Sequence, residues 1–331
     1  MQTHTLPSGA AAQLRLQFDA VPSPYEDAEG ALIGLFRAFA ALPDELLAAL
    51  FRFSRDPASH GALLIDGWPI DAELPPTPTS GQLPAGGRSL HAEKSLLGLA
   101  AQMGTPVGYR TEKDGQLVHH VVPMPGGEFT QSNRGSKVFL NFHNDSMYDA
   151  SMVFNSHNPD FLLLLCLRAD HERQAQTLYV DAREALALLP EAQVAVLRQP
   201  RYRMAAPSNY TLLIHGAKGD EKVWSAPVPV IQGPAAYPEI YLAANGVQPM
   251  DDGAQQALAA LQQACEAAGH DSAVRLAPGQ ALLINNRKGV HARTAFPARY
   301  DGQDRWLLRA NIRTSLWDIR DRATQQALVF A

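Results

Sequence analysis

The chain has 331 residues, 46% of them hydrophobic and 18% charged, so it can bury a sizeable core in one large domain or two small ones. Its net charge of −5, without a polybasic run, gives no footprint for nucleic acid or an anionic membrane. Cys166 and Cys265 are far apart and form no CxxC motif, which favours a reduced compartment. We find no signal peptide and no apolar run long enough to cross a bilayer, so we expect a cytoplasmic protein.

The N-terminal part, at about 24–105, is predicted to be mainly helical. Residues 24–55 repeat apolar side chains at helical spacing and contain two helix starts. A short strand is predicted at 61–66, and a short helix at 95–103. Between them, residues 72–88 are rich in Pro, Gly, Ser and Thr and are interpreted as a loop within one domain.

From about residue 106 the pattern changes to short apolar runs separated by Gly and Pro turns. The predicted strands are 117–123, 138–143, 161–167, 177–180, 212–214, 240–242, 281–284 and 306–312. Two helical insertions are predicted, at 182–197 and 253–268. Many short strands are typical of a sandwich or barrel, and a double-stranded β-helix, or jelly roll, fits them. We therefore predict one domain, 1–331, mainly β with flanking helices and a jelly-roll core at about 106–315.

The strand predicted at 138–143 leads into a pair of candidate metal ligands. Residues two apart on a strand project from one face, so His143 and Asp145 can converge on one point. Such a pair is common by chance, and a solvated Asp beside a capping His is the ordinary alternative. Another apolar run leads to His291. Two His and one carboxylate with open positions beside them are the facial triad of non-haem Fe(II) oxygenases.

The segment after His291 offers basic side chains for an oxoacid. Period-two alternation puts Arg305 and Arg309 on one face of the last predicted strand. An arginine directed into a barrel needs a partner, because a buried unpaired charge is costly, and a carboxylate suits the guanidinium fork. The alternative is a structural salt bridge to a protein Asp or Glu.

Two further histidines, His119 and His120, are adjacent in the sequence. They would face opposite ways on a strand, so they cannot both be metal ligands, and we interpret both as ordinary histidines.

Several segments resemble the clavaminate synthase-like Fe(II)/2-oxoglutarate oxygenases, a family that includes asparagine oxygenase and arginine and lysine hydroxylases. The resembling segments are 121–129, 131–136, 142–145, 158–177 and 290–309, within roughly residues 60–315. The most specific of them begins at His291. The chain departs from the family pattern at Asp145, where the amino-acid hydroxylases usually have Glu, and in a longer stretch between Asp145 and Pro159.

The resemblance implies roles for particular positions. His143, Asp145 and His291 would hold Fe(II). The residues implied for 2-oxoglutarate are Arg305, Thr177 and Arg309. The residues implied for the amino-acid substrate are Glu128, Asn133, Gln131 and Asp251. The last of these belongs to the segment 242–252, which resembles the mobile lid of the family.

The implied reaction is hydroxylation of a free L-amino acid by O2, coupled to decarboxylation of 2-oxoglutarate to succinate and CO2. Asp251 and Asp252 favour a lysine or arginine substrate, unless both acids simply begin the next helix, where negative charge suits the dipole. Asparagine, glutamine and citrulline are the alternative substrates. We expect the amino acid and O2 as partners, neither nucleic acid nor a membrane, and a homodimer as the candidate assembly. A non-oxidative metal-dependent β-barrel enzyme and a non-catalytic metal-binding protein are the alternatives of another class.

Overall fold

The computed structural model describes residues 1–82, 88–132, 134–146, 157–207, 222–244 and 246–331 as mixed β-sheets with helices packed on them. The helices are α1 (Ser8–Phe18), α2 (Ala28–Phe39), α3 (Asp44–Arg55), α4 (His91–Met103), α5 (Ala182–Leu186), α6 (Glu191–Leu197) and α7 (Asp252–Gly269). The strands are β1 (Gln2–Thr5), β2 (Ala62–Asp66), β3 (Thr105–Tyr109), β4 (His119–Val121), β5 (Leu140–His143), β6 (Phe161–Arg168), β7 (Thr177–Asp181), β8 (Tyr202–Met204), β9 (Ile231–Gln232), β10 (Glu239–Ile240), β11 (Val247–Pro249), β12 (Ala281–Asn285), β13 (Gly289–Arg293), β14 (Trp306–Arg313) and β15 (Val329–Phe330). In the described part of the chain, no helix is long and apolar enough to cross a membrane.

Two sheets organise the described residues. The large sheet has eight strands in the order β1-β2-β12-β6-β14-β3-β15, with β4 also paired to β14. The small sheet has the order β5-β13-β7. Within both, neighbours are antiparallel except for β1 with β2 and β3 with β15. The predicted β core with flanking helices therefore corresponds to two separate sheets.

The central strand β6 shows why the large sheet is covered on both faces. Its sequence is a continuous apolar run in which every residue but Arg168 is buried. Alternate residues, including Leu163 and Leu165, join the core under the helices α1 to α4. The residues between them, including Leu162 and Leu164, join a second cluster that contains Tyr179 of the small sheet. A strand buried on both faces loses the apolar–polar alternation of a half-exposed strand.

The small sheet has one face on helices and one toward a cavity. Leu178 and Val180 of β7, and Val290 of β13, pack in a cluster with the apolar stripe of α7. The alternate residues, Thr177 of β7 and His291 of β13, line the cavity instead. The period-two geometry of a strand therefore separates the core-forming residues from the cavity residues.

The structure corrects several predicted elements. The apolar run at 281–284 does not lead directly into His291. It ends as β12 of the large sheet, and after the turn Asn286–Lys288 the chain enters β13 of the small sheet. The helix predicted at 182–197 is two short helices separated before Pro190, which cannot continue a helix.

The ends of other elements also differ. The helices predicted within 24–55 are present as α2 and α3, and the helix predicted at 95–103 starts earlier, at His91. The N-terminal β1 and α1 were not predicted. The strand predicted at 212–214 lies outside the described residues.

Candidate active site

Three candidate metal ligands converge where β5 ends beside β13. His143 and His291 are directly opposite in the antiparallel register, with ring centroids 4.3 Å apart. Oδ1 of Asp145 lies 3.7 Å from Nε2 of His143 and 3.9 Å from Nε2 of His291. One ion with bonds of about 2 Å can bridge atoms at such separations. The three residues form a compact donor set of two imidazoles and one carboxylate.

The protonation states of these side chains suit a cation. Nδ1 of His143 lies 2.7 Å from the carbonyl of Asn141, so this nitrogen carries the proton and Nε2 has a free lone pair. Burial lowers the pKa of His143, and burial with the neighbouring His143 lowers the pKa of His291 to about 3. Burial alone would raise the pKa of Asp145, but neighbouring positive charge, above all the Arg309 guanidinium, gives a net lowering. Two neutral imidazoles and one carboxylate therefore face each other, as a divalent metal requires.

Arg309 of β14 holds the carboxylate of Asp145. Its Nη1 donates to Oδ2 of Asp145 at 2.6 Å. Its Nη2 donates to Glu112 and, at 2.9 Å, to Nδ1 of His119, whose Nε2 lies 2.9 Å from the carbonyl of Gln116. Burial lowers the pKa of His119 to about 4, so this imidazole is a neutral acceptor. Arg309 is thus engaged by two acids and one histidine of the protein.

Arg305 is different, because it is a buried cation that forms no ion pair among the described residues, although the Asp170 carboxylate lies near enough to oppose the lowering of its pKa by burial. It is 6% exposed, and its guanidinium lies over the ring of Phe296 at 5.6 Å. It makes no hydrogen bond or ion pair with any residue that the structure describes. Burial lowers its pKa. An unpaired charge in such a place is costly, so the site is incomplete without an anion.

Arg305 lies on the wall of a cavity that also contains the candidate ligands. The cavity has a volume of about 460 Å³, and its wall includes His143, Asp145, His291 and Thr177. Thr177 is 4% exposed, and its hydroxyl has no hydrogen-bond partner among the described residues. A small dicarboxylate can therefore meet a guanidinium, a hydroxyl and a metal within one cavity, so the donor set fits both iron and an oxoacid.

The residues predicted to bind the substrate are not all brought to this cavity. Gln131 lines it, but its amide already donates to the carbonyl of Phe139 at 2.9 Å and accepts from the N–H of Asn141 at 3.0 Å. Glu128 is not part of the wall and accepts a hydrogen bond from the Tyr300 hydroxyl at 3.0 Å. Asn133 lies outside the described residues.

Asp251 also lies away from the cavity wall. Its carboxylate accepts from Nε of Arg201 at 2.7 Å and from the N–H of Ala254 at 3.0 Å, and it caps α7. Asp252 is the first residue of that helix. The structure thus favours the alternative in which these two acids begin the helix.

Sequence reasoning missed several residues of the site. Glu112 was not singled out, and His119 was interpreted as ordinary, although both contact Arg309. Asn144 and Asn286, which fix the main chain around Asp145, were also missed. The position of Asn144 between the candidate ligands was the one available signal.

A second group with metal-ligand chemistry lies where the segment between β6 and β7 meets the turn before Arg305. His171, Asp301 and Asp304 could offer three donor atoms. However, Nε2 of His171 lies 2.9 Å from Asp301, and Asp304 accepts from the main-chain N–H groups of Arg299 and Tyr300. These hydrogen bonds stabilise the turn, and this structural role explains why the three side chains lie close together.

Comparison with known proteins agrees with this chemistry. The family described as "Taurine catabolism dioxygenase TauD, TfdA family" matches residues 36–311. An L-asparagine oxygenase of Streptomyces coelicolor is 38% identical over 291 residues, covering 88% of this chain and 81% of its own. Clavaminate synthase 2 of Streptomyces clavuligerus is 34% identical over 292 residues, covering 88% of this chain and 86% of its own.

Relatives named for basic amino acids match as well. An L-lysine 3-hydroxylase of Catenulispora acidiphila is 31% identical, covering 83% of this chain and 73% of its own. An L-ornithine/L-arginine 3-hydroxylase of the same organism is 32% identical, covering 83% and 82%. A solved structure of asparagine oxygenase with Fe(II), 3-hydroxyasparagine and succinate superposes with a TM-score of 0.86 at 33% identity, covering 100% of this chain and 99% of its own.

Proposed function

Because this chain belongs to the TauD, TfdA dioxygenase family and is a clavaminate synthase-like Fe(II)/2-oxoglutarate oxygenase, we propose that it hydroxylates a C–H bond of a free L-amino acid. In the proposed reaction 2-oxoglutarate and O2 are consumed, and succinate, CO2 and a hydroxylated amino acid are formed. The bound iron supplies the oxidising chemistry, while the protein binds and orients the reactants and excludes side reactions.

His143, Asp145 and His291 are the proposed iron ligands. The observation that carries the proposal is the buried guanidinium of Arg305, which makes no hydrogen bond or ion pair with the described residues and lies on the same cavity wall as the three ligands. The distal carboxylate of 2-oxoglutarate pairs with this guanidinium in the proposed complex, and the Thr177 hydroxyl donates to the same carboxylate. A guanidinium binds a carboxylate through two parallel N–H bonds, which orients it as well as neutralising it.

The amino-acid backbone of the substrate is proposed to bind at Arg309 and Glu112. This guanidinium donates to this carboxylate on the cavity wall next to Asp145, so a bound zwitterion would exchange their mutual bond for bonds to its own two charges. Together they complement a zwitterion, whose carboxylate suits Arg309 and whose ammonium suits Glu112. Glu112 replaces Glu128 as the proposed partner of the substrate ammonium, because Glu128 does not line the cavity. The proposal also places the amino acid beside the metal ligands.

The substrate side chain is proposed to be a carboxamide, with asparagine as the first candidate. Lysine and arginine were predicted from Asp251, and that support is weakened because Asp251 is paired with Arg201. The relative named for asparagine also shares more of its sequence with this chain than the relatives named for lysine and arginine. Lysine, arginine, glutamine and citrulline remain the alternatives to be tested.

We also propose that the two sheets are the halves of one jelly roll within a single domain. The support is that β14 of the large sheet and β5, β7 and β13 of the small sheet line one cavity. Their side chains face each other across it.

The test is turnover with a panel of free L-amino acids. The purified protein is incubated with Fe(II), 2-oxoglutarate, ascorbate and O2, and products are measured by mass spectrometry. A product one oxygen atom heavier than asparagine, lost in His143→Ala, is the expected result. Oxygen added to lysine or arginine instead would keep the reaction and correct the side chain. Iron binding without succinate or product from any amino acid would contradict the proposed reaction.

A further inference from the structure

Asn144, the residue between two of the candidate ligands, bridges three segments of the chain. It is 3% exposed. Its Nδ2 donates to the carbonyl of Asn286 at 2.6 Å and to that of Gly289 at 2.9 Å. Its Oδ1 accepts from the N–H of Leu242 at 2.8 Å, and its own N–H donates to the carbonyl of Leu242 at 2.9 Å. Both amide protons and the amide oxygen of this side chain are thus in use.

Asn286 holds Asp145 in the same way from the other side. It is 1% exposed. Its Oδ1 accepts from the N–H of Asp145 at 3.0 Å, and its Nδ2 donates to the carbonyls of Asp145 at 2.8 Å and Pro159 at 2.9 Å. The side chain therefore pairs with the main chain of Asp145 as a neighbouring strand would, although β5 ends at His143.

These two amides link parts of the site that are distant in sequence. Asn286 begins the turn that leads into β13, which carries His291. Leu242 precedes Ala243 and Ala244, which form part of the cavity wall. A displacement of any one segment therefore changes the bonds of the others.

The location of the Asn144 and Asn286 side chains, rather than the number of their hydrogen bonds, is the feature that points to a role in the site. Buried polar groups must be hydrogen-bonded wherever they occur, so satisfied bonds by themselves show only that the fold is consistent. What is specific is that two nearly inaccessible amides fix the main chain of one metal ligand and the turn before another. Residues that orient metal ligands in this way typically change metal affinity by about 10- to 100-fold when they are removed.

We propose that Asn144 and Asn286 are positioning residues that hold Asp145 and the turn before His291 in the geometry that binds the metal, and that Asn144 also couples this geometry to the cavity wall at Leu242–Ala244. The inference rests on the proposed iron site. Asn144 connects to the wall segment, whereas Asn286 has no bond to it within the described residues. The two variants are therefore expected to differ.

The test uses Co(II) as a probe that binds without turnover. Asn144→Ala and Asn286→Ala are each expected to weaken Co(II) binding about tenfold in calorimetry. Asn141→Ala is the matched control, since it removes an exposed side chain from the same strand and keeps the main-chain carbonyl that His143 uses. The thermal midpoint of each metal-free variant is measured to establish that the protein is folded. Wild-type Co(II) affinity in a folded Asn144→Ala or Asn286→Ala would overturn the proposal.

Kinetics then separate the two residues. With the amino acid identified by turnover, Asn144→Ala is expected to raise its KM at least fivefold, while Asn286→Ala lowers kcat and leaves that KM within about twofold. Equal changes of KM in the two variants would overturn the coupling to the wall. If Asn144→Ala does not fold, Asn144→Ser, with a shorter polar side chain, takes its place. Failure of the wild-type protein to bind Co(II) would instead contradict the proposed function, which distinguishes the two.

Discussion

Arg309 and Asp145 are joined by a bond of 2.6 Å between Nη1 and Oδ2, which leaves Oδ1 as the oxygen that faces His143 and His291. The aspartate is therefore oriented by the protein itself. The same guanidinium donates to Glu112, so the orientation of one metal ligand depends on a second acid on the cavity wall.

Arg309→Lys is expected to weaken both metal and amino-acid binding. An ammonium is a compact point charge and cannot reproduce the planar fork that contacts Asp145, Glu112 and His119 together. We expect Co(II) affinity to fall about tenfold. The KM of the amino acid should rise more than the KM of the oxoacid cosubstrate. Calorimetry and steady-state kinetics measure these changes, and an unchanged amino-acid KM would remove Arg309 from the proposed zwitterion site.

Arg305→Gln is expected to raise the KM of the oxoacid cosubstrate about 100-fold, since losing a buried charge pair of about 3 kcal/mol corresponds to roughly two factors of ten. The substitution also removes an unpaired buried cation from the ligand-free protein. We therefore expect the ligand-free thermal midpoint to stay the same or to rise. A structural salt bridge would give the opposite sign, so a clearly lower midpoint would argue for a protein partner of Arg305.

Glu93→Ala is expected to destabilise the fold without affecting the site. Glu93 is inaccessible to solvent on α4, and its carboxylate pairs with Arg88, whose side chain is 6% exposed. Removing Glu93 leaves Arg88 with the longer contact to Asp71, at 3.9 Å, so the cost should lie below the value of about 3–5 kcal/mol that is typical of an isolated buried charge. Glu93→Gln should cost less, because an amide oxygen can still accept from Arg88. Urea unfolding measures both, and equal free energies of unfolding for the two variants would contradict this account.

Gly98→Ala in α4 should also destabilise the protein, despite the better helix propensity of alanine. A Cβ at this position would overlap Cε2 of Phe39, which stacks on Trp68 with ring centroids 5.6 Å apart. Overpacking costs about 1–3 kcal/mol, which exceeds the gain of about 1 kcal/mol in propensity. Gly9→Ala in α1, where a Cβ meets nothing within 4 Å, is the matched control and should be neutral or slightly stabilising. Equal effects on the unfolding midpoint would exclude the packing explanation.

Asp251→Asn distinguishes the two interpretations of that residue. As the cap of α7, paired with the half-exposed Arg201, it should affect the thermal midpoint slightly and leave kcat and KM unchanged. If Asp251 instead contacts a basic substrate, the substitution should strongly raise the KM of lysine or arginine. Steady-state kinetics with whichever amino acid turns over give the answer.

The sequence identified those residues of the candidate site that lie in a short local pattern or in a segment that resembles a known family. His143 and Asp145 are two residues apart beside an apolar run, and Arg305 begins an alternating strand. Their convergence in one cavity agrees with those local patterns. His291 was joined to them because an apolar run precedes it, although that run proves to be β12 of the other sheet, and the family resemblance implied the same three ligands.

The rest depended on contacts between residues far apart in the chain. Glu112 and Arg309 are separated by 197 positions, and Asn286 and Asp145 by 141, so no short motif joins them. The strand β1 was missed because its partner is β2, beyond three helices. By contrast, the break between α5 and α6 was predictable, since Pro190 is plainly visible in the sequence.

The order of β5, β13 and β14 along the chain has a consequence for synthesis on the ribosome. A nascent chain that has emerged only as far as β7 already contains the pair His143 and Asp145, but neither the second histidine nor the arginine that orients the carboxylate. A contact can form only after both of its residues have been synthesised, and contacts between residues far apart in the sequence form last. We therefore expect the emerging polypeptide to be unable to capture iron tightly. Metallation is then expected to follow the emergence of β13 and β14 from the ribosome.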